Sequence, residues 1–210
     1  MDIGYIFVVI VVILVSMTLH EAMHGMVAYW LGDHTAKLQG RLSFNPLVHI
    51  DPFLTLFLPV ILALTGLPIF GGAKPVPFNP YALKFKEWGS ALVAIAGPLT
   101  NLLLAFVSYG LFAVVHSSGD SFVSSVFATS AIVNLGFFAF NILPFPPLDG
   151  SRVAYALAPD FVRRAMERVE QYGLFLVFAI VLIASPILSD VIMFISHFFL
   201  NAFSKVFVGI

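Results

Sequence analysis

The chain has 210 residues, 60% hydrophobic and only 10% charged, with a formal net charge of −1 and a mean hydropathy of +1.01. A soluble domain carries roughly 25% charged residues, so this composition excludes an ordinary water-soluble globule and makes the bilayer the solvent; with no basic block, it gives nucleic-acid binding no electrostatic support. The lack of cysteine excludes disulfides, thiol nucleophiles and thiolate ligands, so any metal must be held by His, Asp or Glu.

A membrane-spanning helix needs about 20 mostly apolar residues. The first such stretch covers about residues 3–31. It has no basic flank and no small-residue cleavage site, so it reads as a retained span rather than a signal peptide. Residues 35–44 (TAKLQGRLSF) alternate polar and apolar around Gly40, the pattern of a short hairpin or edge strand, with an irregular cytoplasmic loop as the alternative. A second apolar stretch, about 52–70, is broken by Pro59, Gly66 and Pro68. Further spans are predicted at about 88–115 and 122–143, and a block at 172–203 is divided by Pro186 and Asp190 into two. The expected fold is an all-α polytopic membrane protein. It has about five to six transmembrane segments and a short β-hairpin-like or re-entrant element after the first helix.

Basic residues orient the spans. Lys37, Arg41, Lys74, Lys84, Lys86, Arg152, Arg163, Arg164, Arg168 and Lys205 all fall on one side, the cytoplasm, if the 52–70 stretch enters and returns rather than crossing. The loops at 117–121 and 186–190 hold no Lys or Arg and are placed outside.

Inside the first span stands His20-Glu21-Ala22-Met23-His24, an H-E-x-x-H. Positions four apart share a helix face, so His20 and His24 can offer imidazole nitrogens to one metal ion. Glu21, one step round, can take a proton from a water on that metal. The bare pattern also arises by chance. Here it follows IFVVIVVILV (residues 6–15), where each ionisable group costs at least about 2.5–3.5 kcal/mol. Three on one turn need a compensating partner, and a dication is one.

A catalytic zinc takes a third protein ligand. His34, His49, Asp51, His116, Asp120, Asp149, Asp190 and His197 are candidates. The predicted topology puts His116, Asp120 and Asp190 outside. His34, His49 and Asp51 fall in cytoplasmic loops, and His197 reads as a buried histidine of the last span. Asp149, after Pro144-Phe145-Pro146-Pro147-Leu148 and before Gly150, lies at the cytoplasmic end of the fourth helix. There a proline break can turn a carboxylate inward. A helix-capping role for Asp149 is the alternative.

Several pieces together resemble the site-2 protease family of intramembrane zinc metalloproteases (peptidase family M50), in its compact bacterial form without a PDZ domain. They are His20 through Gly25, Leu31-Gly32-Asp33, Gly40-Arg41-Leu42, Asn45-Pro46, His49-Ile50-Asp51-Pro52, Ala73-Lys74-Pro75-Val76-Pro77, Gly97-Pro98-Leu99-Thr100-Asn101, and Asn141 through Arg152. The resemblance implies zinc ligands His20, His24 and Asp149, a catalytic Glu21, and Asn141 as a contact to the substrate strand or oxyanion. It implies a small-residue packing role for Gly97 through Asn101, with Asn101 able to bond a group behind the ligands.

The resemblance further implies one Zn2+ per chain. The substrate is then a transmembrane protein whose helix must unwind for cleavage; the alternating pattern of residues 35–44 further suggests that this segment pairs with the unwound strand by strand addition. One membrane-embedded domain is expected over residues 1–210, with a catalytic core at about 1–157 and a C-terminal helical pair at about 170–208. The protein is expected to be an integral cell-membrane protein in contact with lipid, with its active site toward the cytoplasm and no nucleic-acid partner. A membrane metal-transport protein using the same ligands, or a non-catalytic scaffold, are the alternatives.

Overall fold

The computed structural model describes residues 3–65, 71–119 and 121–209, and all regular structure among them is helical. Helix α1 (Ile3–Trp30) presents two surfaces. Ser16, His20, His24 and Ala28 recur every four residues and are buried, whereas Ile3, Phe7, Ile10 and Val15 are exposed, as expected of a lipid-facing side. The buried stripe packs on α4 (Glu87–Ser118), the central helix, which also contacts α5 (Ser121–Asn141). Ala91, Ala94, Gly97, Asn101, Ala105 and Ser108 of α4 are buried. Such small side chains let helix backbones approach closely in a membrane.

Helix α9 (Ser185–Phe207) completes the bundle. Phe199 packs on Phe138, Phe203 on Phe106, and the ring of Phe207 lies against Gly110. Contacts thus climb α4 and α9 together, so α9 runs parallel to α4 and antiparallel to α5. Lys205 therefore lies toward the end of the bundle where α4 terminates. This corrects its expected place among the other basic residues.

Four helices among the described residues, α1, α4, α5 and α9, are long and apolar enough to cross a membrane. Five to six were expected; the described residues show these four. Helix α3 (Leu58–Thr65) has 8 residues and α8 (Gly173–Ile183) has 11. At 1.5 Å per residue the described part of α3 reaches about 12 Å and α8 about 16 Å, short of the roughly 30 Å hydrocarbon core. The 172–203 block breaks at Ala184 rather than at Pro186 and Asp190. Pro186 sits in the first turn of α9, where its missing N–H is not needed.

The second apolar stretch does turn back. A π-helical turn over Pro52–Phe57 leads into α3. The Gly72 N–H donates to Leu54 O at 3.2 Å, the Lys74 N–H to His49 O at 2.8 Å, and Thr55 Oγ1 to Gly72 O at 2.7 Å. Its two ends therefore meet. The breakers Gly66 and Pro68, with the expected end at Phe70, lie outside the described residues.

Residues 35–44 form no hairpin. Thr35–Leu38 is a one-turn helix, α2. The Asp33 carboxylate accepts from the Thr35 N–H (2.9 Å) and its hydroxyl (2.5 Å). At the other end Gly40, at φ +65°, donates to Lys37 O, and the Arg41 N–H donates to Ala36 O at 2.8 Å. This is a Schellman closure: Gly40 ends a helix instead of turning a strand, and no edge for strand addition exists there.

Three buried polar residues brace this side. Asp33 also accepts from the Asn79 N–H at 2.6 Å. The His49 ring donates from Nε2 to Ser43 O at 2.8 Å. The Arg41 guanidinium donates to Val48 O, to Lys74 O (2.6 Å) and to Pro75 O (3.2 Å). Together they fix the irregular segment 71–79 beside the C-terminal half of α1.

Candidate metal centre

His20 and His24 stand one turn apart on the buried stripe of α1, and their Nε2 atoms are 3.0 Å apart. Asp149 opens α6 (Asp149–Leu157) immediately after the proline-rich turn that ends α5. Its Oδ2 lies 3.1 Å from His20 Nε2 and 3.4 Å from His24 Nε2. Gly150 permits this approach: a Cβ there would sit 2.1 Å from Ile142 O. Gly97 of α4 closes the far side, where a Cβ would lie 2.4 Å from His24 Nε2 and 2.6 Å from His20 Nε2.

The far nitrogen of each ring is engaged. His20 Nδ1 is 2.5 Å from Asn101 Oδ1, and His24 Nδ1 is 2.7 Å from Val93 O. Both partners are acceptors, so each Nδ1 carries its hydrogen and each Nε2 is turned inward, where it can offer a lone pair to a metal ion. Asp149 Oδ2 is buried and has no hydrogen-bond partner. Three ligand-type atoms thus face one point, two imidazole nitrogens and a carboxylate oxygen, an arrangement that suits a cation between them. Ligands at about 2.0–2.2 Å on a tetrahedral zinc stand roughly 3.3–3.6 Å apart, close to the spacings found. The donor set fits a zinc ion.

Glu21 points to the same place. Its carboxylate, His20 and His24 bring ligand-type atoms within 4.8 Å of one another. Glu21 Oε2 accepts from the Val76 N–H at 2.8 Å, so the braced 71–79 segment holds this carboxylate. A cavity of about 300 Å³ opens alongside, lined by His20, Glu21 and Asp149 on one side and by Leu54, Ala73, Phe137, Asn141 and Val177 on the others. Asn141 uses one amide N–H on Phe137 O of its own helix (3.0 Å) and faces the cavity.

The other expected candidates lie elsewhere. Asp51 caps the π-helical turn by accepting from the N–H groups of Phe53 and Leu54. His34 stacks edge-on to Tyr29. His49 is a loop brace, and His116 bonds Ser124 at 3.3 Å near the end of α4. Asp190 and His197 are exposed on α9, so the expectation that His197 is buried does not hold. Asp120 lies outside the described residues. The sequence reading missed the Val76 N–H and the Val93 carbonyl, because backbone groups leave no mark in a side-chain pattern.

A bundle of membrane-length helices around a His₂–carboxylate cluster, with a glutamate and a cavity beside it, defines a membrane protein of metallohydrolase type. The sequence matches Peptidase family M50 over residues 8–119 and 114–184, and the chain belongs to that family. It is 40% identical over 190 residues to "Putative zinc metalloprotease YwhC" of Bacillus subtilis, covering 87% of this chain and 83% of the relative. It is 33% identical over 190 residues to "Putative zinc metalloprotease Rip2" of Mycolicibacterium smegmatis (89% and 71%). It is also 32% identical over 136 residues to "Putative zinc metalloprotease MJ0611" of Methanocaldococcus jannaschii (64% and 62%). No solved structure matches the chain.

Proposed function

We propose that the chain is an intramembrane zinc metalloprotease that hydrolyses peptide bonds in or near transmembrane helices of other membrane proteins. The observation that carries this reading is the convergence of His20 Nε2, His24 Nε2 and Asp149 Oδ2 within 3.4 Å of one another beside Glu21. His20, His24 and Asp149 hold the metal. Zinc, when bound, lowers the pKa of its water toward neutrality and polarises the scissile carbonyl. Glu21, steadied by the Val76 N–H, takes the proton from the attacking water and returns it to the leaving nitrogen. The second amide N–H of Asn141 lies in the cavity wall, where it can donate to the carbonyl oxygen as charge builds there. The catalytic residues all fall within residues 1–157. Residues 170–208 cover the cavity through Val177.

The substrate is a transmembrane helix whose i→i−4 bonds open before cleavage. The apolar walls of the cavity suit such a segment, and lipid surrounds the rest of the bundle. The basic residues at the end of the bundle that holds Asp149 orient the active site toward the cytoplasm. The test is zinc per chain and cleavage of a reconstituted transmembrane helix by wild type, Asp149→Ala and Glu21→Gln. About one zinc in wild type and Glu21→Gln, its loss in Asp149→Ala, and cleavage by wild type alone are expected. Full zinc retention by Asp149→Ala, or cleavage by Glu21→Gln at the wild-type rate, would overturn the assignment.

A further inference from the structure

The apolar span α5 contains one buried amide that the proposed chemistry does not use. Asn134 is 1% exposed and meets Asn101 of α4, which is 0% exposed. Asn134 Nδ2 donates to Ser130 O at 2.9 Å and lies 3.5 Å from Ser130 Oγ. Asn101 Nδ2 donates to Asn134 Oδ1 at 2.8 Å, and Asn101 Oδ1 faces His20 Nδ1 at 2.5 Å. A buried amide among apolar side chains needs partners, but packing alone does not require this particular order.

The order is set from one end. A backbone carbonyl can only accept, so Ser130 O fixes which end of the Asn134 amide points to it. That turns Asn134 Oδ1 toward Asn101, which must answer with Nδ2. Asn101 is left presenting Oδ1 to His20, and His20 must answer with an Nδ1–H. Its Nε2 is then a lone pair. A reversed Asn101 amide would face His20 with N–H, move the ring hydrogen to Nε2 and aim it between His24 and Asp149, blocking ligation.

We infer that Asn134 is a positioning residue for the metal centre: through Asn101 it fixes His20 as the Nδ1–H tautomer. The inference rests on the zinc reading above. Neighbours that orient ligand imidazoles are typically worth about 10- to 100-fold in metal affinity.

The experiment is zinc affinity, measured by chelator competition on the detergent-solubilised protein, for Asn134→Leu in two backgrounds. With Asn101 intact, removing the Asn134 oxygen frees the Asn101 amide to reverse, and zinc affinity should fall about 10-fold or more. In an Asn101→Asp background the partner of His20 has two oxygens and cannot present a donor, so the same change should alter affinity less than about 3-fold. Equal losses in both backgrounds would mean that Asn134 acts only by packing, and would overturn the relay. Asn134→Asp decides the matter if the leucine variants do not fold. It still accepts from Asn101 and should bind zinc within about 3-fold of wild type, whereas a 10-fold loss would overturn the relay. Failure of wild type to bind zinc would instead remove the zinc reading itself.

Discussion

Gly97 offers a direct test of the centre because it carries no chemistry of its own. A methyl group at this position of α4 would sit 2.4 Å from His24 Nε2 and 2.6 Å from His20 Nε2, against an ordinary contact of at least 3.4 Å. The shortfalls are therefore about 1.0 and 0.8 Å, and they fall on two ligand atoms at once. Neither ring can easily retreat, because Asn101 and Val93 hold the opposite nitrogens. Changes to groups behind the ligands usually cost about 10- to 100-fold in metal affinity. Driving two ligand atoms apart should cost Gly97→Ala at least 100-fold. Gly136→Ala is the matched control: it is also a helical glycine, on α5, and a Cβ there meets nothing within 4 Å. Zinc affinity would be measured by chelator competition, and folding by thermal unfolding in the same detergent. Wild-type zinc affinity in a folded Gly97→Ala protein would refute the placement of the metal between these rings.

Gly150→Ala should also lose zinc, by a different route: its Cβ would collide with Ile142 O at 2.1 Å and push the start of α6, with Asp149, away from the histidines. Arg41→Ala should keep zinc yet cleave about 10- to 100-fold more slowly. It releases the carbonyls of Val48, Lys74 and Pro75 and so loosens the segment whose Val76 N–H holds Glu21; zinc content and turnover measured on one preparation separate the two effects. Asp33→Asn should destabilise the fold by about 1.5–3 kcal/mol at neutral pH, because the amide meets the Asn79 N–H with a donor. Burial raises the Asp33 pKa, but hydrogen bonds from Thr35 and Asn79 outweigh it and hold the carboxyl below its ordinary 3.8. The advantage of wild type is thus present above pH 3.8 and disappears as pH falls through the folded value, so thermal unfolding of the two proteins should converge in acid.

The candidate site was legible because ionisable groups stand out against an apolar chain. His20, Glu21 and His24 interrupt a run that otherwise reads as lipid-facing, and the proline-rich turn before Asp149 announces a carboxylate that has left its helix. The fold was less legible where local sequence has two physical solutions. Alternation over residues 35–44 fits a hairpin, but the Asp33 carboxylate and the left-handed Gly40 satisfy the ends of a single helical turn instead. Pro186 looks like a stop, and it is a start, because proline suits the first turn of a helix as well as the residue after one. Hydropathy could count apolar residues in 172–203 but could not say which way α9 runs; that is decided by Phe199, Phe203 and Phe207 stacking along α4 and α5. Asn134 was invisible for another reason: one amide in an apolar helix says that it has a partner, not which one.

The same electrostatics link metal binding to stability. Without a dication, only a proton on a ring nitrogen can offset the buried Asp149 carboxylate that faces His20 and His24. The folded chain therefore holds an assembled site that a dication completes, while the unfolded chain offers none. Zinc at 100 times its Kd should then stabilise the protein by about 2.7 kcal/mol, seen as a rise in Tm with added zinc. Asp149→Ala removes the buried charge and the ligand together, so it should lose most of the zinc-dependent rise without a matching fall in its zinc-free Tm. A zinc-free Tm far below that of wild type would mean that Asp149 is held chiefly as a structural partner of the two rings, and not as a ligand waiting for metal.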